Sequence, residues 1–214
     1  MSVNCSHVLR CGGGCFHLHR QVVGQFLAAE VHSASMLDFS RHSESRRKVC
    51  DLPAIIDKAV ALAGSDYDLK KSYDFKHIKI VRDYADDLPV INCTETEIEQ
   101  VVLNLLRNAA QAMATRQPPQ PSPCISISLA TTAQTLRIKI ADNGPGMQPE
   151  VQRRVFEPFF TTKPPGVGTG LGLSVSYFIV TKGHGGKMDV ASKPGEGTVF
   201  TIDLPRDAAL EGEG

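Results

Sequence analysis

Apolar positions along the chain fall into two rhythms, one of period near 3.6 and one of period 2, and their order predicts the elements. Between about 21 and 47 the positions Val22, Val23, Phe26, Leu27, Val31, Met36, Leu37 and Phe39 recur at roughly helical spacing and give way to Arg46-Arg47-Lys48. This reads as one amphipathic helix whose apolar stripe needs a partner, on its own domain or outside it. Residues 1–20 show no sustained period and hold three consecutive glycines, the pattern of a disordered or atypical leader. Val49-Cys50-Asp51-Leu52 suggests a short strand, and Asp51 or Pro53 opens a helix through Ile55, Ile56, Ala59, Val60 and Leu62. Residues 77–84 alternate like a strand with one wet face, and 88–91 form a short edge-like strand. Thr94 precedes Glu97 at the spacing of a capping box, so a helix starts there, broadly buried through Ile98, Val101, Val102, Leu105, Leu106, Ala109, Ala112 and Met113. Pro118-Pro119-Gln120-Pro121 ends it, and 124–129 and 135–140 alternate as strands. A buried helix over 173–180 and strands at 187–190 and 197–204 follow, with a loose tail at 208–214. Mixed strands with helices able to cover one face predict an α/β (α+β) two-layer sandwich with an N-terminal helical appendage. No regular βαβαβ alternation supports a doubly wound sheet.

Length and charge narrow the picture. A chain of 214 residues suggests one domain with an appendage. Lys+Arg and Asp+Glu both number 23, which argues against nucleic-acid binding through bulk electrostatics. No apolar run reaches the ~18–20 residues of a membrane span, so the chain reads as soluble and cytoplasmic, without membrane contact of its own, although its parent could be membrane-anchored. Of six cysteines, Cys50, Cys93 and Cys124 lie in core-like sequence as small hydrophobes. Cys5, Cys11 and Cys15 lie with His7, His17 and His19 in the leader, at spacings that match no common structural zinc pattern.

Four stretches carry candidate chemistry. The first packs Gly166, Gly168, Gly170 and Gly172 into seven residues ahead of a helix, a backbone able to approach an anion closely. It is not a Walker A loop, because no Gly-Lys-Ser/Thr follows at the right spacing. The second is Asn104 and Asn108, which share one face of an otherwise buried helix. They are either core amides satisfied by backbone or oxygen donors for a hard cation such as Mg²⁺. The third, Asp142-Asn143-Gly144-Pro145-Gly146-Met147, follows a strand and reads equally as a tight turn or as a carboxylate placed to accept a base's exocyclic amine. The fourth sets Phe156, Phe159 and Phe160 in a loop with Thr161, Thr162 and Lys163, either a lid hinge or an exposed contact patch.

In this order and spacing, the four resemble the N, G1, F and G2 boxes of sensor histidine kinases of two-component systems, over about residues 49–205. Gly195-Glu196-Gly197-Thr198 resembles the family's last box. The resemblance implies a Bergerat-type fold, ATP and Mg²⁺ as cofactors, and transfer of the γ-phosphoryl group to a histidine. It implies an ATP-binding catalytic domain over 49–207 with a lid at about 148–168, and the remnant of a dimerisation helix over 21–48. Carried over, Asn108 holds Mg²⁺ with Asn104 assisting, and Asp142 binds the adenine amine. Gly144, Gly146 and Met147 shape the base pocket, with Thr198 helping through a water. Gly168, Thr169, Gly170, Leu171, Gly172 and Leu173 wrap the phosphates, Lys163 reaches them, and Phe156, Phe159 and Phe160 anchor the lid. Gln111 lies toward the phosphates where many members carry a basic residue. An amide at 104, where the related ATPases have a glutamate, favours phosphotransfer over hydrolysis because it cannot take a proton. None of His7, His17, His19, His32 and His42 has the context of the family's phosphoacceptor. The implied partners are a phosphoacceptor histidine on a dimerisation helix of the same family, in cis or in trans, and a response-regulator receiver domain. The alternative is a nucleotide-binding or dimerisation module without autokinase activity. A serine kinase of the anti-sigma type shares the fold, but residues 33–41 resemble a histidine-kinase helix instead.

Overall fold

The computed structural model describes residues 47–65, 75–114, 122–164 and 168–206. Two compact units divide the chain, Met1–Ser45 and Arg46–Gly214, and the described residues all belong to the second. The leader at 1–20, nearly all of the helix expected over 21–48, and the tail at 208–214 lie outside them.

The elements in chain order are β1 (Lys48–Cys50), α1 (Leu52–Ser65), a 3₁₀ turn (Phe75–His77), β2 (Lys79–Tyr84), β3 (Ile91–Cys93) and α2 (Glu95–Ala114). They continue with β4 (Cys124–Thr131), β5 (Thr135–Asp142), a single turn α3 (Pro149–Gln152) and α4 (Gly172–Phe178). Helix α4 runs into a π-helical turn (Ile179–Gly183), after which β6 (Lys187–Lys193) and β7 (Gly197–Pro205) close the domain.

Five strands form one mixed sheet in the order β2-β4-β5-β7-β6, with β2 parallel to β4 and the other pairs antiparallel. Strand alternation puts one face of this sheet in the core. Across the sheet, Leu129, Ile138, Ile202 and Met188 stand in one row of cross-strand partners. Ile127, Ile140, Phe200 and Val190 form the next. Onto these rows α2 lays Ile98, Val101, Val102, Leu105, Leu106, Ala109, Ala110 and Met113, and α1 adds Leu52, Ile55, Ile56 and Ala59, all buried. Strand β5, ending in Asp142, is the centre of the sheet, flanked by its hairpin partner β4 and by β7 from the far end of the chain.

Three local expectations are corrected. The edge-like strand begins only at Ile91, after Pro89, and pairs with β1 in a separate two-stranded ribbon. At the start of α2, the Thr94 N–H that a capping-box glutamate would satisfy instead donates to Nε2 of His184 at 3.1 Å. The helix expected to be buried over 173–180 is only half so: Tyr177 and Phe178 are 40% and 50% exposed, while α4 buries Ser176 and the π-helical turn buries Ile179 and Val180. Cys50 and Cys93 are buried, free thiols, and burial pushes the Cys93 thiol up in pKa. Among the described residues, no helix is long and apolar enough to cross a membrane and no cluster of His, Cys, Asp and Glu could hold a metal ion.

Candidate functional site

Helix α2 carries the site's long axis. Its fully buried positions leave a half-buried stripe of Asn104, Asn108 and Gln111, at i, i+4 and i+7 on one face. Asn104 meets α4, whereas Asn108 and Gln111 share Lys163.

Asn104 faces α4. Its Nδ2 donates to the Gly172 carbonyl at 3.4 Å and to Ser176 Oγ at 3.3 Å. A Cβ on Gly172 would sit 3.9 Å from Asn104 Cγ, so the glycine run enters α4 directly over this amide. One turn along, Lys163 Nζ donates to Asn108 Oδ1 at 3.4 Å and also to Gln111 Oε1. Burial lowers the lysine's pKa. The ammonium shows that Asn108 offers a hard, partly shielded oxygen to a cation, the donor type that Mg²⁺ prefers.

The far end of α2 holds the acidic loop. Asp142 ends β5, and its Oδ1 accepts the Gly144 N–H at 2.8 Å. Burial raises the carboxyl's pKa, and the backbone amides of Gly144 and Thr198 oppose that shift. Gly144 is needed for closeness: a Cβ there would lie 2.6 Å from Asp142 Oδ1 and 3.4 Å from Met113 Cγ. The loop is clamped to the β6–β7 turn. Gly146, at φ +68°, would drive a Cβ to within 2.0 Å of the Lys193 carbonyl oxygen, and Gly195 N–H donates to the Pro145 carbonyl at 2.7 Å. Ser192 Oγ accepts the Met147 N–H at 2.8 Å and lies 3.0 Å from the hydroxyl of the buried Thr198. Thr198 in turn stands opposite Asp142 in the sheet.

The segment after α3 meets the glycine run at a pinch. Phe159 N–H donates to the Gly170 carbonyl at 3.0 Å, and both residues have positive φ, +63° and +68°. A Cβ on Gly170 would meet the Phe159 backbone at 2.4 Å. Gly168 is held as closely, its Cβ position 2.9 Å from Thr161 Oγ1 and 3.0 Å from Lys163 Cδ. Beyond it, Thr169 Oγ1 accepts the Leu171 N–H at 3.3 Å. The phenylalanines divide. Phe156 packs on Tyr177 and Phe200, with ring centroids 5.0 and 6.3 Å away. Phe160 lies under the Arg154 guanidinium at 4.4 Å, while Phe159 is 47% exposed and packs into no ring pair among the described residues.

From Ala112, beside the acidic loop, to Asn104, beneath the glycine run, is eight residues of helix, about 12 Å. Asn108 and Lys163 lie between. Asn104, Asn108, Gln111, Gly144, Lys163 and Gly172 thus border one strip along α2; Phe156 and Phe160 pack elsewhere, Phe159 is exposed, and Gly166 lies outside the described residues. Sequence reasoning missed Ser192, Ser176 and His184. Their partners lie far off in the chain, and only the Ser-Lys-Pro-Gly context of Ser192 hinted at a turn that something must hold.

Comparison with known proteins agrees with this layout. The family model of histidine kinase-, DNA gyrase B- and HSP90-like ATPases matches residues 93–208. The chain is 34% identical over 173 residues, 79% of its length, to the signal transduction histidine-protein kinase AtoS of Escherichia coli. It is 39% identical over 140 residues to the sensory histidine kinase/phosphatase NtrB of Vibrio alginolyticus, covering 61% of this chain. It spans only 26% and 38% of those two relatives. Among solved structures, the nucleotide-free catalytic domain of histidine kinase ThkA superposes with a TM-score of 0.60 at 27% identity, covering 75% of this chain and 97% of that one.

Proposed function

The chain belongs to the histidine kinase-, DNA gyrase B- and HSP90-like ATPase family, and on that premise we propose that it is the ATP-binding catalytic domain of a sensor histidine kinase. In this reading residues 49–207 bind ATP with Mg²⁺ and hand its γ-phosphoryl group to a histidine on a dimerisation helix, from which a response-regulator receiver domain takes it. The observation that carries the reading is the strip along α2, with an acid-bearing loop at one end, a glycine run at the other and oxygen donors between.

Each residue has a part that its surroundings support. Asp142 accepts the adenine amine, in a pocket walled by Gly144, Gly146 and Met147 and steadied by Ser192 and Thr198. Gly168 to Leu173 follow the phosphates with their backbone, and Lys163, held by Gln111, swings onto them. Asn108, with Asn104 beside it, would hold Mg²⁺, which when bound neutralises charge on the phosphate oxygens. The domain's contribution to the transfer is positioning and charge stabilisation. Asn104 already spends its amide hydrogens on Gly172 and Ser176 and presents no basic group to a water.

Titration of Mg·ATP into the wild type and Asp142→Asn, followed by incubation with labelled ATP and a dimerisation helix bearing a histidine, tests this. Saturable binding lost in the variant, with acid-labile label on the helix, is expected. Binding without label would leave a nucleotide-binding module, and no binding would refute the reading.

A further inference from the structure

His184 is 4% exposed, lies at the end of the π-helical turn, and has no role in the reading above. Both of its ring nitrogens are engaged by backbone. Nε2 accepts the Thr94 N–H at 3.1 Å, and Nδ1 lies 3.0 Å from the Ile179 carbonyl. Because Nε2 accepts, the proton sits on Nδ1 and is given to Ile179. The Glu97 carboxylate, 3.8 Å from Nδ1, faces the same nitrogen.

The two partners belong to different helices. Thr94 begins α2, the helix of Asn104 and Asn108; Ile179 follows directly on α4, whose other end is Gly172. A second tie joins the same pair of helices at the opposite end, where Asn104 donates to Gly172 and Ser176. Going from Thr94 to Asn104 on α2 runs from Ile179 back to Gly172 on α4, so the helices are antiparallel and pinned at both ends of their contact. The π-helical turn is fastened further: Gly186 N–H donates to Val180 O at 2.9 Å, and Arg47 donates to Gly183 O. Two pins fix register as well as distance. One pin alone would let α4 shift along α2 and carry Gly172 away from Asn104.

We infer that His184 is a positioning residue for the nucleotide site, setting the glycine run over the amide face of α2 by locking the axial register of α4. This rests on the nucleotide reading above and assigns to the imidazole the phosphate end alone. The acidic loop is held separately, by Ser192 and the β6–β7 turn.

The test compares two probes on the whole chain. Dissociation constants for a non-hydrolysable Mg·ATP analogue and for adenosine are measured on wild type, His184→Ala, His184→Gln and His184→Asn, adenosine being followed by the amide resonances of Gly144 and Gly146. The alanine variant should lose about tenfold in triphosphate affinity while adenosine affinity stays within about twofold, as expected for hydrogen bonds lost at one end of the site. Glutamine, which can place an oxygen near the Nε2 position, and asparagine, which can place an amide near Nδ1, should each recover part of the loss. If the alanine variant does not fold, the glutamine and asparagine pair decides. Equal losses for both probes, or no loss for either, would overturn the inference while leaving the nucleotide reading intact. Failure of the wild type to bind either probe would overturn both.

Discussion

Asp142 is the residue where binding and stability pull in opposite directions. Burial raises its carboxyl pKa despite two backbone donors, so the folded chain holds that proton more tightly than the unfolded chain. The stability this provides is full below the ordinary carboxylate value and is lost as pH rises through the raised one. Above the raised value the ionised acid therefore works against the ligand-free fold. Asp142→Asn keeps an acceptor for Gly144 and removes the charge. At pH above that raised value its thermal midpoint should rise by about 2 °C, and the gain should shrink as pH falls through that value and vanish below the ordinary carboxylate value. Mg·ATP affinity should fall about tenfold to a hundredfold through loss of a charge-assisted hydrogen bond. A lower midpoint with undiminished affinity would contradict both halves. Asn104 gives a complementary case. Asn104→Asp exchanges the donor toward Gly172 O for an acceptor, and carboxylate facing carbonyl should reduce triphosphate affinity by about tenfold in calorimetry, whereas Asn104→Gln should reduce it less.

Between elements, the segment from α3 to the glycine run depends on one crossing of backbones. Phe159 holds a left-handed conformation that suits glycine, and Gly170 opposite it has no room for a side chain. Gly170→Ala should add about 1–2 kcal/mol of left-handed strain together with a clash against the Phe159 backbone, visible as faster proteolysis between α3 and α4. The midpoint of the rest of the domain should move little. Phe159→Gly in the same background should restore part of the protection. Sequence made one side of this arrangement visible and hid the other. The 3.6 period of α2 put Asn104, Asn108 and Gln111 on one stripe, and alternation in β5 delivered Asp142 to a strand end, because both depend on local geometry. The fastening of those elements was not legible. Ser192 to Met147, His184 to Thr94 and Lys163 to Gln111 are tertiary contacts between residues whose own neighbourhoods look ordinary, and no local rule marks an imidazole that replaces a capping glutamate. The exposure of Tyr177 and Phe178 escaped for the same reason: an apolar run does not say which of its faces finds a neighbour.

At the scale of the whole domain, the sheet's inner rows couple the site to the core. Ile138 sits mid-row between Leu129 and Ile202, four residues before Asp142 on the same strand. Ile138→Ala should cost about 3 kcal/mol and lower the denaturation midpoint accordingly, as for other fully buried aliphatic truncations. Nucleotide added at saturation should recover part of that loss by mass action. The placement of β5 has a temporal consequence too. On a translating ribosome its first neighbour, β4, emerges just before it, while the second, β7, is made only after α3, α4 and β6. Until then the strand that ends in Asp142 offers an open row of amides and carbonyls to whatever is nearby, and a nucleotide bound as proposed could not rescue the growing polypeptide because Thr198 has yet to be synthesised. Nascent chains halted before Gly197 should accordingly be trapped by chaperones regardless of ATP concentration, and those released after Pro205 should not.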